Sequence, residues 1–307
     1  MYRQCLAFIS AVILTFSTRR YEKFFKFLDI RYSRIVSFSF IFPELEWIWK
    51  HLYRFTQLCQ YEAPLVNGLS DVYDRRKSGE AADSMDLLKL LLNKENNEEK
   101  PLTKQQVVEN CFAFLLAGYE TTSTALTFCT YLLAKHQDVQ RKLYEEIAAT
   151  KEEKGLNFDT IHSMKYLDAV FKESLRMYPP VIHFVNRVCL EDITINGQFI
   201  PKGTFVAVLP YTVHMNEENW PRAKEFIPER FLDWNDKGSL KWIPFGVGPR
   251  FCVGMRFAEM EFKMSLARLI ERFELKLPEN AQEMIPMVNG VIMRPKDPVN
   301  VILNKRS

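Results

Sequence analysis

The 307-residue sequence is poor in chain breakers, with only 11 glycines and 15 prolines. An all-β chain full of tight turns needs more of both, so helix should dominate. Its six cysteines, Cys5, Cys59, Cys111, Cys129, Cys189 and Cys252, stand far apart, and none forms a Cys-x-x-Cys pair. No Asn-x-Ser/Thr acceptor site occurs either. Both absences favour a reducing, cytosol-facing compartment over a secreted disulfide framework. The five histidines show neither His-Glu-x-x-His nor His-x-His spacing, which argues against a metal site built from imidazoles. Charge of one sign is also missing. Lysine plus arginine (41) against aspartate plus glutamate (38) leaves +3, and no nucleic-acid partner is expected from that balance. Near the N-terminus, Cys5 to Phe16 is mostly apolar and is flanked by Arg3 and by Arg19-Arg20. A bilayer span takes roughly 20 apolar residues, so this run is too short to cross, and the small-residue pattern of a cleaved leader is not there. It is expected to be a buried helix of the domain, with no true membrane anchor.

What the chain does contain is globular. Hydrophobic residues make up 47% and charged residues 26%, which excludes disordered and collagen-like classes. Aromatics reach 13%, led by 24 phenylalanines, which suits a protein that also buries something large and apolar. The length allows one large domain or two ordinary ones.

The pattern along the chain is mostly helical. Phe24 to Tyr61 is aromatic and basic. Arg75 to Lys100 is charged and broken, and reads as exposed loops around a short helix, Met85 to Leu92. Thr103 and Gln106 have capping-box spacing at the start of a long helix that reaches Leu133 without a proline. Apolar on most faces, it is expected to lie in the middle of a sizeable domain. A further amphipathic helix, Tyr166 to Met177, stops at Pro179-Pro180. Asn196-Gly197 between β-branched and aromatic flanks predicts a two-residue hairpin, and Thr204 to Leu209 a further strand. Irregular chain from Trp220 to Pro249 precedes a last helix, about Gly254 to Phe273, and a β-like tail.

The sharpest segment is Phe245-Gly-Val-Gly-Pro-Arg-Phe-Cys252-Val-Gly254. It sets a cysteine in a glycine-rich loop just before a helix, where backbone N–H groups and the positive end of the helix dipole favour thiolate. Gly246, Gly248 and Gly254 let the backbone fold tightly and let a flat partner approach. Thiolate is the axial ligand that pushes electron density onto heme iron and favours O–O cleavage. A lone cysteine beside a turn is more often a buried free thiol. The full set of surrounding residues at their spacing makes that reading remote.

With every fixed position of Phe-Gly-x-Gly-x-Arg-x-Cys-x-Gly matched, this decapeptide resembles the heme-binding signature of the cytochrome P450 family. The resemblance implies that Cys252 is the proximal iron ligand, that Arg250 pairs with a heme propionate, and that Phe245 lies near the sulfur and tunes the iron. Lys172-Glu173-Ser-Leu-Arg176 and Pro228-Glu229-Arg230-Phe231 are similar to two further family segments, which join Glu173, Arg176 and Arg230 in a buried charge network. A buried triad must be complete or it leaves an uncompensated charge. Arg187 matches a position that often offers a second propionate contact.

Ala117-Gly118-Tyr119-Glu120-Thr121-Thr122-Ser123 falls in the middle of the long helix. Glycine, an acid and hydroxyls are unfavourable there on propensity. Two readings are open from the residues, a packing notch against a neighbouring helix or a local bulge opening a polar groove. The segment resembles the family's oxygen-activation motif. By that similarity Thr121 hydrogen-bonds the oxygen ligand or its water, Glu120 helps deliver protons, and Ala117 and Gly118 lie against the distal heme face.

The resemblance covers roughly Leu28 to the C-terminus and is closest to the microsomal, animal type. It implies a mainly α fold with minor β, the C-terminal part of the cytochrome P450 fold. Residues 1–307 then form a single partial domain, 1–100 supplying substrate-side helices and loops and 101–307 the heme-binding core. It also implies a heme b cofactor, electrons from NADPH through NADPH-cytochrome P450 reductase, O2, a small apolar organic substrate, and a place at the cytosolic face of the endoplasmic reticulum membrane. Complete members carry an anchor, a Pro-rich hinge and several elements ahead of this region. The chain therefore reads as truncated, and residues 1–307 alone are expected to be poorly soluble, to bind heme weakly and to oxidise nothing. Two rivals stand beside monooxygenation, an inactive fragment and a heme-thiolate isomerase or lyase. Glu120-Thr121, which serves proton delivery to bound dioxygen, counts against the second.

Overall fold

The computed structural model describes residues 57–80, 86–95, 101–182, 185–234, 239–282, 285, 287–289 and 292–306. The expected N-terminal helix Cys5–Phe16 and the aromatic stretch before Gln57 lie outside them. The chain divides into two compact units, residues 1–119 and 120–307. As expected from the scarcity of turn formers, the architecture is mainly α with minor β.

In the first unit, α1 (Gln57–Lys77) and α2 (Leu87–Glu95) are followed by α3 (Lys104–Lys135), which continues unbroken into the second. Leu69 and Tyr73, Leu88 and Leu92, and Val107 and Cys111 are each four residues apart, so each pair shares a helix face, and together they form one buried cluster. The start of α3 is capped as its sequence predicts. The Gln106 amide N–H donates to Thr103 Oγ1 at 3.2 Å, and the Thr103 N–H donates back to Gln106 Oε1 at 2.9 Å.

The charged stretch after Arg75 differs from its sequence reading. Helix α1 carries on through Lys77, and the short helix begins at Leu87 and runs to Glu95 rather than spanning Met85 to Leu92. Asp86 is the physical reason. It is only 2% exposed, accepts the Lys89 N–H at 2.9 Å and so caps α2, and pairs with the nearly buried Arg76 at 2.9 Å. A charge run in the sequence gives no sign of which charge is inside.

The second unit contains α4 (Gln137–Lys154), α5 (Phe158–Ser163), α6 (Lys165–Met177), α7 (Pro210–His214) and α8 (Met255–Arg272). Helix α8 packs against α4, α5 and α6, burying Phe262, Leu266 and Ile270. Among the described residues, strands form four two-stranded antiparallel ladders. β1 (Val185–Val188) pairs with β4 (Phe205–Val208), and β2 (Ile193–Ile195) with β3 (Gln198–Ile200). β5 (Phe273–Lys276) pairs with β8 (Ile302–Lys305), and β6 (Met287–Asn289) with β7 (Met293–Pro295). The β2–β3 turn is the predicted one. Asn196 and Gly197 have φ of 50° and 81°, the pair of positive values a type I′ turn demands.

Candidate functional site

The cysteine loop is suspended from three anchors. Trp220 Nε1 donates to the Lys241 carbonyl at 3.1 Å, Trp242 Nε1 to the Lys172 carbonyl at 3.0 Å, and the Ile243 N–H to His214 Nε2 at 2.9 Å. Beyond Ile243 the chain turns back on itself, the Gly246 N–H donating to the Ile243 carbonyl at 3.1 Å. Gly246 and Gly248 adopt φ of 74° and 75°, values that side chains other than hydrogen rarely tolerate, so glycine is required at both. A short 3₁₀ turn, Gly248–Arg250, leads to Cys252. The Cys252 N–H donates to the Phe245 carbonyl at 2.8 Å, closing the loop on its first residue.

Cys252 is exposed and is not in a disulfide. Gly254 caps the N-terminus of α8, and a Cβ placed on it would sit 3.9 Å from Cys252 Sγ. The sulfur therefore lies beside the first residues of an 18-residue helix, where the macrodipole favours negative charge. Cys111 and Cys129 are buried instead, and burial pushes their thiols up to about 11 and about 12. They are inert by comparison. Beside Cys252, Phe251 and Val253 are 52% and 80% exposed, and Arg250 is exposed as well. Phe245 is half-buried, its ring 6.3 Å from Phe171 and 6.2 Å from Trp242.

Behind the loop, Glu173, Arg176 and Arg230 come together as their segments imply. Arg176 grips Glu173 through Nε at 2.7 Å and Nη2 at 2.9 Å, with both side chains fully buried. Arg230 Nε reaches Glu173 Oε1 at 3.3 Å, and the Ile227 N–H donates to the same oxygen at 2.9 Å. Arg176 also donates to the His214 and Glu225 carbonyls, and its guanidinium lies 5.5 Å from the Trp220 ring centre. Arg187 is exposed on β1, opposite Val206 of β4.

On α3, Glu120 and Thr121 are half-buried, and burial raises the Glu120 carboxyl above its ordinary range. Ser123 Oγ donates to the Glu120 carbonyl at 3.1 Å. The helix stays α throughout, without the bulge that one sequence reading allowed. Among the described residues, a Cβ on Gly118 would meet nothing within 4 Å. Ala117 is exposed.

His214, Trp220 and Trp242 escaped sequence reasoning. A histidine outside any metal spacing and tryptophans in irregular chain carry no signal that their ring nitrogens serve the backbone of a loop far along the sequence.

The family model for cytochrome P450 matches residues 7–303. Among curated proteins, the chain is 39% identical over 285 residues to cytochrome P450 3A12 of Canis lupus familiaris, covering 90% of this chain and 55% of that one. It is 38% identical to cytochrome P450 3A6 of Oryctolagus cuniculus, covering 92% and 57%. To cytochrome P450 3A5 of Homo sapiens it is 34% identical, covering 94% and 58%. The chain spans about half the length of the curated relatives it matches. With the cysteine loop, the charge network and the family model in agreement, the chain belongs to the cytochrome P450 family.

Proposed function

We propose that this chain supplies the heme-thiolate part of a monooxygenase that inserts one atom of O2 into an apolar organic substrate, using NADPH-derived electrons delivered by a reductase. The observation that carries the reading is the free, exposed thiol of Cys252 on a glycine-shaped loop at the N-terminus of α8. The residues around it fit a heme. Phe251 and Val253 leave apolar surface bare beside the sulfur, as a large apolar plate requires, and Arg250 offers a cation for a propionate. When bound, the heme supplies activation of dioxygen.

In this reading Cys252 Sγ would hold the iron, Gly246 and Gly254 shape the loop, and Phe245 would lie near the sulfur and tune the iron. Arg250 and Arg187 bind carboxylates. Glu120 holds a proton more readily than an exposed carboxylate does, because burial raises it, and the Thr121 hydroxyl would help deliver protons to the heme's oxygen ligand. Ala117 and Gly118, one turn earlier on α3, keep that stretch of helix free of bulk. The Glu120-Thr121 pair supports oxygen insertion over a heme-thiolate isomerase, which needs no proton delivery. Neither the family match nor the relatives support the inactive-fragment alternative. Residues 1–307 as one partial domain, and a place on the endoplasmic reticulum membrane, belong to the same proposal. Among the described residues no helix is long and apolar enough to cross a membrane. Reconstitution with heme, a reductase and NADPH tests it: product formation that requires all three supports oxygen insertion, and rearrangement of a peroxide without reductase favours the isomerase.

A further inference from the structure

We infer that His214 is a positioning residue for the cysteine loop, a neutral latch that holds Ile243 and through it the turn carrying Cys252. The inference gives the residue its importance through the heme-thiolate reading above, but the latch itself rests on geometry within residues 120–307.

His214 is fully buried. Its Nε2 accepts the Ile243 N–H at 2.9 Å, so the ring is neutral with its own proton assigned to Nδ1. Nδ1 is buried and has no hydrogen-bond partner among the described residues. An apolar residue of similar size would leave no such orphan, so the ring's value lies in the acceptor it presents. That acceptor leads directly to the site. Ile243 holds Gly246 through its carbonyl at 3.1 Å, and Phe245 holds the Cys252 N–H through its carbonyl at 2.8 Å. On the other side, the His214 carbonyl accepts Arg176 Nη1 at 2.9 Å, which joins the loop to the Glu173–Arg176–Arg230 network.

Protonation would break the latch, because an imidazolium has two N–H donors and cannot accept from Ile243. The surroundings oppose that change. Burial and then the Arg176 guanidinium depress the imidazole to about 3, against an ordinary value near 6.5. The groups facing the ring from adjoining elements are Arg176 of α6, whose partner Glu173 is shared with Arg230, and the uncharged Ile243. Lys241, two residues before Ile243, points its charge to solvent.

The test uses the full chain without added heme, so that its failure is separate from failure of the heme-thiolate reading. Wild type, His214→Gln and His214→Leu are compared by hydrogen exchange of the peptide spanning residues 239–247. Labelling of Cys252 by dithiodipyridine, assigned by peptide mass, runs in parallel. Glutamine keeps an acceptor and leucine has none, and neither titrates. At pH 7, loss of a buried acceptor should speed exchange at Ile243 and labelling of Cys252 by roughly 5- to 100-fold in the leucine variant. Glutamine should restore both to within a few-fold of wild type. If the leucine variant fails to fold, the pH profile decides. Between pH 5 and 3 the ratio of wild-type to His214→Gln labelling should climb, because thiolate loss slows both alike and only wild type loses the latch. A folded leucine variant with wild-type exchange, a glutamine variant no better than leucine, or parallel acid profiles overturns the proposal.

Discussion

Removing Arg176 by Arg176→Met strips four donated hydrogen bonds from one fully buried side chain. Two go to the Glu173 carboxylate and one each to the His214 and Glu225 carbonyls. The methionine fills much of the volume, so the cost is electrical rather than steric. Among the described residues Glu173, also fully buried, keeps only the Ile227 N–H at 2.9 Å and Arg230 at 3.3 Å. Breaking a buried pair by deleting one partner costs about 3–5 kcal/mol, and two carbonyls losing a charged donor push toward the upper end. Arg230 still pairs with Glu173 and pulls the other way, so about 3–5 kcal/mol is the expected loss. Against a typical domain stability of about 5–15 kcal/mol, that is a large share. With a urea slope of about 2 kcal/mol per molar, the denaturation midpoint should fall by about 1.5–2.5 M. The control is Lys142→Met, which removes the Lys142–Glu229 pair, 2.6 Å long but largely solvent-exposed. Exposed pairs are worth about 0–1 kcal/mol, so that midpoint should barely move. Equal shifts in the two variants would refute the reasoning.

Three further outcomes follow from single residues. Thr121→Ala should leave the heme spectrum nearly intact while the rate of product formation falls about 10²–10⁴-fold and NADPH consumption yields peroxide, measured by coupled product and peroxide assays; unaltered coupling contradicts it. Gly248→Ala should destabilise by about 1–2 kcal/mol in urea titration from its positive φ alone, since the added Cβ meets nothing within 4 Å; no cost would mean the loop relaxes freely. Burial raises Glu62 from 4.5 to about 7, so the folded state holds a proton that the unfolded chain releases, and this contribution to stability is lost as pH rises from 4.5 through 7. Glu62→Gln should flatten that decline in thermal melts across pH 4 to 8, and an unchanged slope would show the carboxyl is not the cause.

Local chemistry was legible wherever one segment carries its own explanation. Thr103 with Gln106, Asn196 with Gly197, and the glycines of the cysteine loop each dictate a backbone geometry within a few residues, and each appears where its residues predict. Charge was harder to read. Asp86 and Arg76 sit in a run of charges that looks solvated, and only tertiary packing decides that this pair goes inside. The same limit hid His214 and Trp220, whose partners lie 29 and 21 residues away. The middle of α3 stays α without the bulge that one reading allowed, because an undistorted helix has no residue signature.

The central claim is that Cys252, among six cysteines, is the iron ligand, and one spectrum tests it most directly. Heme-loaded protein, reduced and exposed to carbon monoxide, should show the red-shifted Soret band of thiolate ligation in wild type, Cys129→Ala and Cys189→Ala. Cys252→Ala should lose that band, and its persistence there would contradict the account.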